Sequence, residues 1–205
     1  KILLLAMESG KPEDIINAIK QIVVSCTYEK LNAETMPMFD IEYIFLQIRA
    51  KSVGEVSKLK ILCQDDMKTY ADVEIDLNDI QVQVNEEHTN KIELTDSMGM
   101  FMTYPTIESF TKNGIDNINP NNMLDVISGC ILQIYEENGE KLYDPKDQTQ
   151  KELIEFLENL NTTQFKDIQK FFDTMPKLKH TIKVKNPKTK KTSEVTLTGL
   201  NDFFA

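Results

Sequence analysis

Tryptophan is absent from the 205-residue chain, and arginine occurs once, histidine twice and cysteine three times. Three cysteines are an odd number. Cys26, Cys63 and Cys130 are far apart and each is flanked by core-type residues, so buried reduced thiols are expected rather than a disulfide framework, which fits a cytosolic compartment. No apolar run approaches the ~20 residues of a membrane span, and no signal peptide with a cleavage site opens the chain. Walker, G-x-G-x-x-G, H-E-x-x-H, G-x-S-x-G and EF-hand patterns are all missing, so no cofactor is implied. A surplus of positive charge is missing too. At −10 and a pI near 4.8 the chain is not a general nucleic-acid binder.

What is present is a sequence 40% hydrophobic and 27% charged, long enough to bury a core. Lys1 to Glu8 is an apolar helix-like run without a capping residue, from which we expect further residues upstream of Lys1. Gly10 closes it. Pro12, Glu13 and Asp14 then start a helix with a buried stripe of Ile15, Ile16, Ile19, Ile22 and Val23. After a polar link, Pro37 precedes a core helix in which Phe39, Ile41, Ile44, Phe45 and Ile48 recur at helical spacing, and Gly54 ends it. Arg49 lies on this helix. Its planar fork suits a structural ion pair that helps determine the fold.

From Val56 the pattern alternates, predicting strands at Val56–Leu62, Val73–Asp76, Ile80–Val84, Ile92–Leu94 and Met98–Tyr104, with polar turns between them. They read as one small antiparallel meander. Met98, Met100 and Met102 line one face of its last strand, as flexible core. Beyond Pro105, a short helix at Thr106–Thr111 and a loop from Lys112 to Asn122 precede a helix predicted from Asn119-Pro120 through Ile134, with Gly129 and Cys130 inside it. Residues 138–147 read as a loop. Capping-box signals at Thr149–Glu152 and Asn161–Gln164 start two helices in a hairpin. After Pro176 a β-hairpin follows, with Leu178, His180, Ile182 and Val184 on one face and lysines on the other. The fold class is therefore α+β: N-terminal helices (1–54), a central small antiparallel sheet (55–104), and a helical region (105–176) whose C-terminal helical hairpin leads into a β-hairpin and tail (177–205).

Lys177 to Lys191 holds seven lysines and no acid in an otherwise acidic chain. Two readings stand: a lysine-studded face that discourages strand-edge pairing, or a docking finger for an acidic partner. In the second, Lys183, Lys185, Lys188, Lys190 and Lys191 carry the contact. Neither histidine makes a convincing catalytic base. His180 falls on the apolar face of its strand, and His88 lies in a turn where solvent is expected. Cys63 lacks the second cysteine of a zinc-ribbon pair, and the C-terminal hairpin loop offers only Asn186, Lys188 and Thr189, so no metal ligand is assigned.

The segments F-D-I-E-Y-I-F-L-Q-I-R-A-K-S-V-G-E, N-K-I-E-L-T-D-S-M-G-M-F-M-T-Y-P-T and F-F-D-T-M-P-K-L-K-H-T-I-K-V-K, with G-L-N-D-F-F, resemble the baseplate hub or hub-assembly protein family of T-even-type contractile-tailed bacteriophages, cyanophage members included. The resemblance runs in order along nearly the whole chain. It implies a non-enzymatic late viral protein of the virion tail baseplate, present in the host cytoplasm during assembly, whose partners are other phage baseplate or hub proteins, with no nucleic acid and no membrane. An alternative role is a transient chaperone for a hub subunit. The resemblance also implies a segment before Lys1. Relatives carry Cys-x-x-Cys in the middle sheet and again in the C-terminal hairpin loop. This chain keeps only Cys63, with Asn186 and Thr189 at the second pair, so packing and hydrogen bonds would have to hold the hairpins.

Overall fold

The computed structural model describes residues 12–112, 122–136 and 139–204. The opening apolar run and most of the 112–122 loop lie outside them. The chain divides into two compact units, one holding the described residues within 12–18, 32–38 and 84–175, the other those within 19–31, 39–83 and 176–204.

The first unit is a four-stranded antiparallel sheet in the order β4 (Lys91–Glu93), β5 (Gly99–Met102), β6 (Ile131–Glu136), β7 (Lys141–Tyr143). Ile92, Met100, Met102 and Ile134 join Ile127, Leu153, Leu157, Ile168 and Phe171 in its core. Those partners come from α4 (Met123–Gly129), α5 (Gln150–Glu158) and α6 (Thr162–Thr174), while α3 (Ile107–Lys112) precedes them. Met98 packs against the same cluster, so the methionine face is core as expected. Both capping boxes form: Thr149 Oγ1 accepts from Glu152 N, and Asn161 Oδ1 accepts from Thr163 N and Gln164 N. Gln164 also donates to Leu94 O at 2.7 Å, fastening α6 to the end of β4.

The expected helix through Ile134 is corrected here. It stops at Gly129, Cys130 caps it, and Ile131–Glu136 is a strand instead. Gly129, a weak helix former, is the last helical residue, and the mostly apolar run that follows suits a strand paired on both sides. Part of the expected 138–147 loop is β7, followed by a short 3₁₀ turn at Pro145–Asp147. Leu132 is the extra residue where the β5–β6 register shifts, and it points to solvent at 56% exposure.

The second unit holds α2 (Met38–Val53, Met38 itself belonging to the first unit), a two-stranded hairpin of β1 (Val56–Leu62) and β2 (Tyr70–Asp76), and a three-stranded antiparallel sheet in the order β3 (Gln81–Gln83), β8 (Lys177–Lys185), β9 (Thr192–Thr198). The chain ends in α7 (Gly199–Phe204). The single central meander expected from sequence is thus divided among three sheets. Alternation fixed each strand's faces, whereas pairing partners come from distant chain. On α2 the fully buried positions are Ile41, Phe45, Leu46 and Ala50, and Ile44 and Ile48 are only half-buried. In α1 (Pro12–Cys26), which runs from the first unit into the second, Val23 is fully buried and the isoleucines half-buried. Leu200 and Phe203 of α7 are buried, and Ser57 Oγ donates to Phe203 O at 2.9 Å, tying the tail to β1. Glu42 is the N-terminal counterpart. Its carboxylate accepts from Leu200 N–H, and burial raises its pKa.

Cys26 is exposed, contrary to the expectation of three buried thiols, because it closes the exposed end of α1. Cys63 and Cys130 are buried, and burial pushes the Cys130 thiol up to about 12. A thiol reagent should therefore label one cysteine in the native chain, Cys26, and three only in denaturant. Gly99 offers a second test. A Cβ there would fall on the Tyr135 hydroxyl and lie 2.5 Å from the Ile92 carbonyl oxygen, so Gly99→Ala must displace backbone and should cost roughly 1–3 kcal/mol in denaturant unfolding.

Candidate functional site

The lysine pattern acquires its meaning from where β8 sits. β8 is the middle strand in order, but its ladder to β3 covers only Lys177–Lys179, whereas its ladder to β9 runs from Lys179 to Lys185. Lys177 and Lys179 therefore lie within the β3 ladder, and Lys183 and Lys185 lie beyond it. Leu178, His180, Ile182 and Val184 face inward, with Leu178 and Val184 fully buried. Lys177 and Lys179 are half-buried on the opposite face, and Lys183 and Lys185 are exposed. Across the ladders they meet Gln81, Gln83, Thr192 and Thr198, with Glu194 opposite Lys183 as the only acid on these three strands. The result is a polar face with a basic stripe along β8.

Lys188, Lys190 and Lys191 stand exposed in the β8–β9 loop, which is tightly built. Asn186, 1% exposed, accepts the N–H groups of Lys188 at 2.8 Å and Thr189 at 3.2 Å, an Asx turn that folds the loop back. Lys190 takes a left-handed φ of 65°, and its Nζ donates to Pro187 O at 2.6 Å, so part of its charge is committed within the loop.

Beneath the loop lies the β1–β2 turn. Asp66 accepts from Lys68 N, Thr69 N and Thr69 Oγ1, which fixes the turn and depresses its pKa. Asp65 reaches the other hairpin: Asn186 Nδ2 donates to Oδ1 at 2.8 Å and Thr189 Oγ1 donates to Oδ2. Those two bonds, Thr189 first, hold Asp65 below the usual carboxylate range. Under them Cys63, Ala71 and Val184 form a small apolar cluster with Ile61, Val73, Ile182 and Val195 packed against it. Hydrogen bonds and packing therefore join the two hairpins. Among the described residues no group of three or more His, Cys, Asp or Glu side chains could hold a metal ion.

Sequence reasoning placed the lysines correctly on one face but missed the clamp. Asp65, Asn186 and Thr189 read there as separate turn residues; an Asn-Pro-x-Thr turn alone does not reveal which carboxylate it will bind. Arg49 is half-buried and donates Nη1 to Gly54 O at 3.1 Å, closing the end of α2 where Gly54 takes φ 139°.

His88 also differs from the expected solvated turn residue. Its Nδ1 lies 2.9 Å from Thr174 Oγ1 and its Nε2 3.0 Å from Tyr104 OH, and its ring packs on Tyr104 and Phe171. Thr174 Oγ1 gives its proton to Lys170 O at 2.7 Å. It therefore accepts from His88 Nδ1–H, the reverse of a base drawing a proton from a nucleophile, and Tyr104 donates to Nε2.

A family model described as T4 bacteriophage base plate protein matches residues 1–205, the whole chain. No curated protein and no solved structure matches it. Among the described residues no helix is long and apolar enough to cross a membrane.

Two pH windows follow from the bonded groups. His88 has its pKa lowered by burial, so its stabilising contribution is complete above its ordinary value near 6.5 and is lost as pH falls from there through its lowered folded-state value. Asp65 and Asp66 contribute above 3.8 and lose that contribution as pH falls further. Glu42, with its pKa raised, acts with the opposite sign in the acid range. The thermal midpoint should drop from about pH 7.5 to about pH 6, and His88→Gln should flatten that step while lowering the midpoint at pH 7.5. An unchanged slope in His88→Gln would contradict the assignment.

Proposed function

The chain belongs to the T4 bacteriophage base plate protein family, and from that membership we propose that it is a non-enzymatic hub component that acts in baseplate assembly through protein–protein contacts. The family places it in the virion tail, among other baseplate proteins. The hub assignment rests on the sequence resemblance. The docking role rests on one observation, an acid-free run of lysines that continues from β8 into a loop held by the Asn186 and Asp65 bonds. Blocking of unwanted strand pairing accounts for lysines at a sheet edge and covers Lys183 and Lys185, but Lys188, Lys190 and Lys191 stand in the loop beyond both ladders and have no such duty. The partner that fits is an acidic protein surface. Steering by the stripe would speed encounter and set orientation, and it would weaken with salt.

Held by the Asx turn and the Asp65 bonds, the loop presents its lysines without a large ordering cost on binding. Arg49 serves the scaffold, as an ion-pair residue of α2 in addition to its bond to Gly54. The second reading, a chaperone that leaves before the tail matures, uses the same face transiently.

Mass spectrometry of purified virions separates the two. Stoichiometric presence of the chain supports the subunit reading, and its absence from mature particles sinks that reading. Within assembly, K183Q/K185Q/K188Q should weaken incorporation or partner capture by about tenfold at low salt and less at high salt. A triple variant that assembles like the wild type at every salt concentration discards the docking face.

A further inference from the structure

The acidic surface that complements the lysine stripe is present in the same chain. Counted on the sequence, the unit carrying β8 has 14 basic and 12 acidic residues, whereas the rest of the chain has 9 basic and 21 acidic. The excess acid concentrates between Glu136 and Glu158, which holds eight acids against three lysines. Here a groove of about 260 Å³ opens beside β7 and α5. Met98, Ile134, Leu153 and Phe156 form its floor, and Glu136 and Glu152 stand at its rim. The rim carboxylates are fixed in place. Tyr143 OH donates to Glu136 Oε2 at 3.0 Å, and Glu152 is held in the Thr149 capping box, which keeps its pKa below the usual range. Asp147 adjoins Gln148 of the groove lining and Glu155 follows Glu152 by three residues on the same helix face; both are exposed, and Glu155 is also ion-paired with Lys151 at 3.6 Å.

An apolar floor inside a charged rim is the anatomy of a protein-docking site. We propose that this acid-rimmed groove receives the lysine-bearing β8–β9 hairpin of a second copy of the chain. The proposal rests on the reading that the lysine face is a docking surface, and it names that face's partner. The two surfaces differ, so the contact is heterologous and propagates from copy to copy until it closes into a ring or is stopped by other subunits. Opposite charges meet across it, while like faces repel, which fixes the orientation.

Sedimentation velocity of the full chain tests this. The wild type should associate at low salt and dissociate as salt rises. K183E/K185E/K188E and D147K/E155K should each lose association by about tenfold or more. These substitutions fall on exposed positions, and an equimolar mixture of the two variants should associate again, because each reversed face then finds its complement. Restoration in the mixture shows that both variants are folded. A wild type that stays monomeric at all salt concentrations overturns the self-pairing, as does association that neither variant alters. Those results leave the lysine face free to act on other baseplate proteins, which K183Q/K185Q/K188Q reads separately in assembly.

Discussion

Asp65 is the side chain on which the second unit's architecture turns. It sits in the turn of one hairpin and accepts from Asn186 and Thr189 in the turn of another, more than a hundred residues away in sequence. Two-stranded hairpins are marginal alone, and here each supplies what the other lacks. The β1–β2 turn offers a carboxylate; the β8–β9 turn offers an amide and a hydroxyl. Charge-assisted bonds of this kind exceed neutral ones in strength, and they also set the relative register of the two turns. Asn186 is fully used, its amide on Asp65 and its oxygen on two backbone N–H groups. The apolar cluster around Cys63, Ala71 and Val184 then closes between the strands.

This arrangement explains how a loop rich in lysine can be rigid. Lysine side chains repel one another, and a loop of them would ordinarily spread. The turn bonds at Asn186, the left-handed Lys190 and the carboxylate beneath confine the backbone, while Lys183, Lys185 and Lys188 remain directed at solvent. Rigidity matters for recognition because a preformed face loses little conformational entropy when a partner arrives.

How far the fold was legible varies with the length of chain each feature involves. Local signals were reliable: the two capping boxes, the Gly54 stop, strand β1 and the alternation of β8 all stand where sequence places them. Pairing was not legible, because an alternating strand declares its buried face and leaves its neighbour unspecified; β3 joins a hairpin almost a hundred residues later. Cys130 to Ile134 was misread for a related reason. A short, mostly apolar run fits a strand or a helix equally, and only Gly129 marks the boundary. His88 looked solvated because its partners, Thr174 and Tyr104, lie on separate elements. The candidate site was half visible: the charge could be counted, but the pairing of β8 with β3 and β9 and the clamp under its loop are products of tertiary structure.

The central claim is that the lysine face of β8 and its loop is buried against protein in the baseplate. Lysine-reactivity footprinting of the free chain and of assembled or assembling tails tests it directly. Lys183, Lys185 and Lys188 should lose reactivity on assembly while Lys51 and Lys58, exposed elsewhere on the same unit, keep theirs. Equal reactivity of all five lysines before and after assembly would contradict the account.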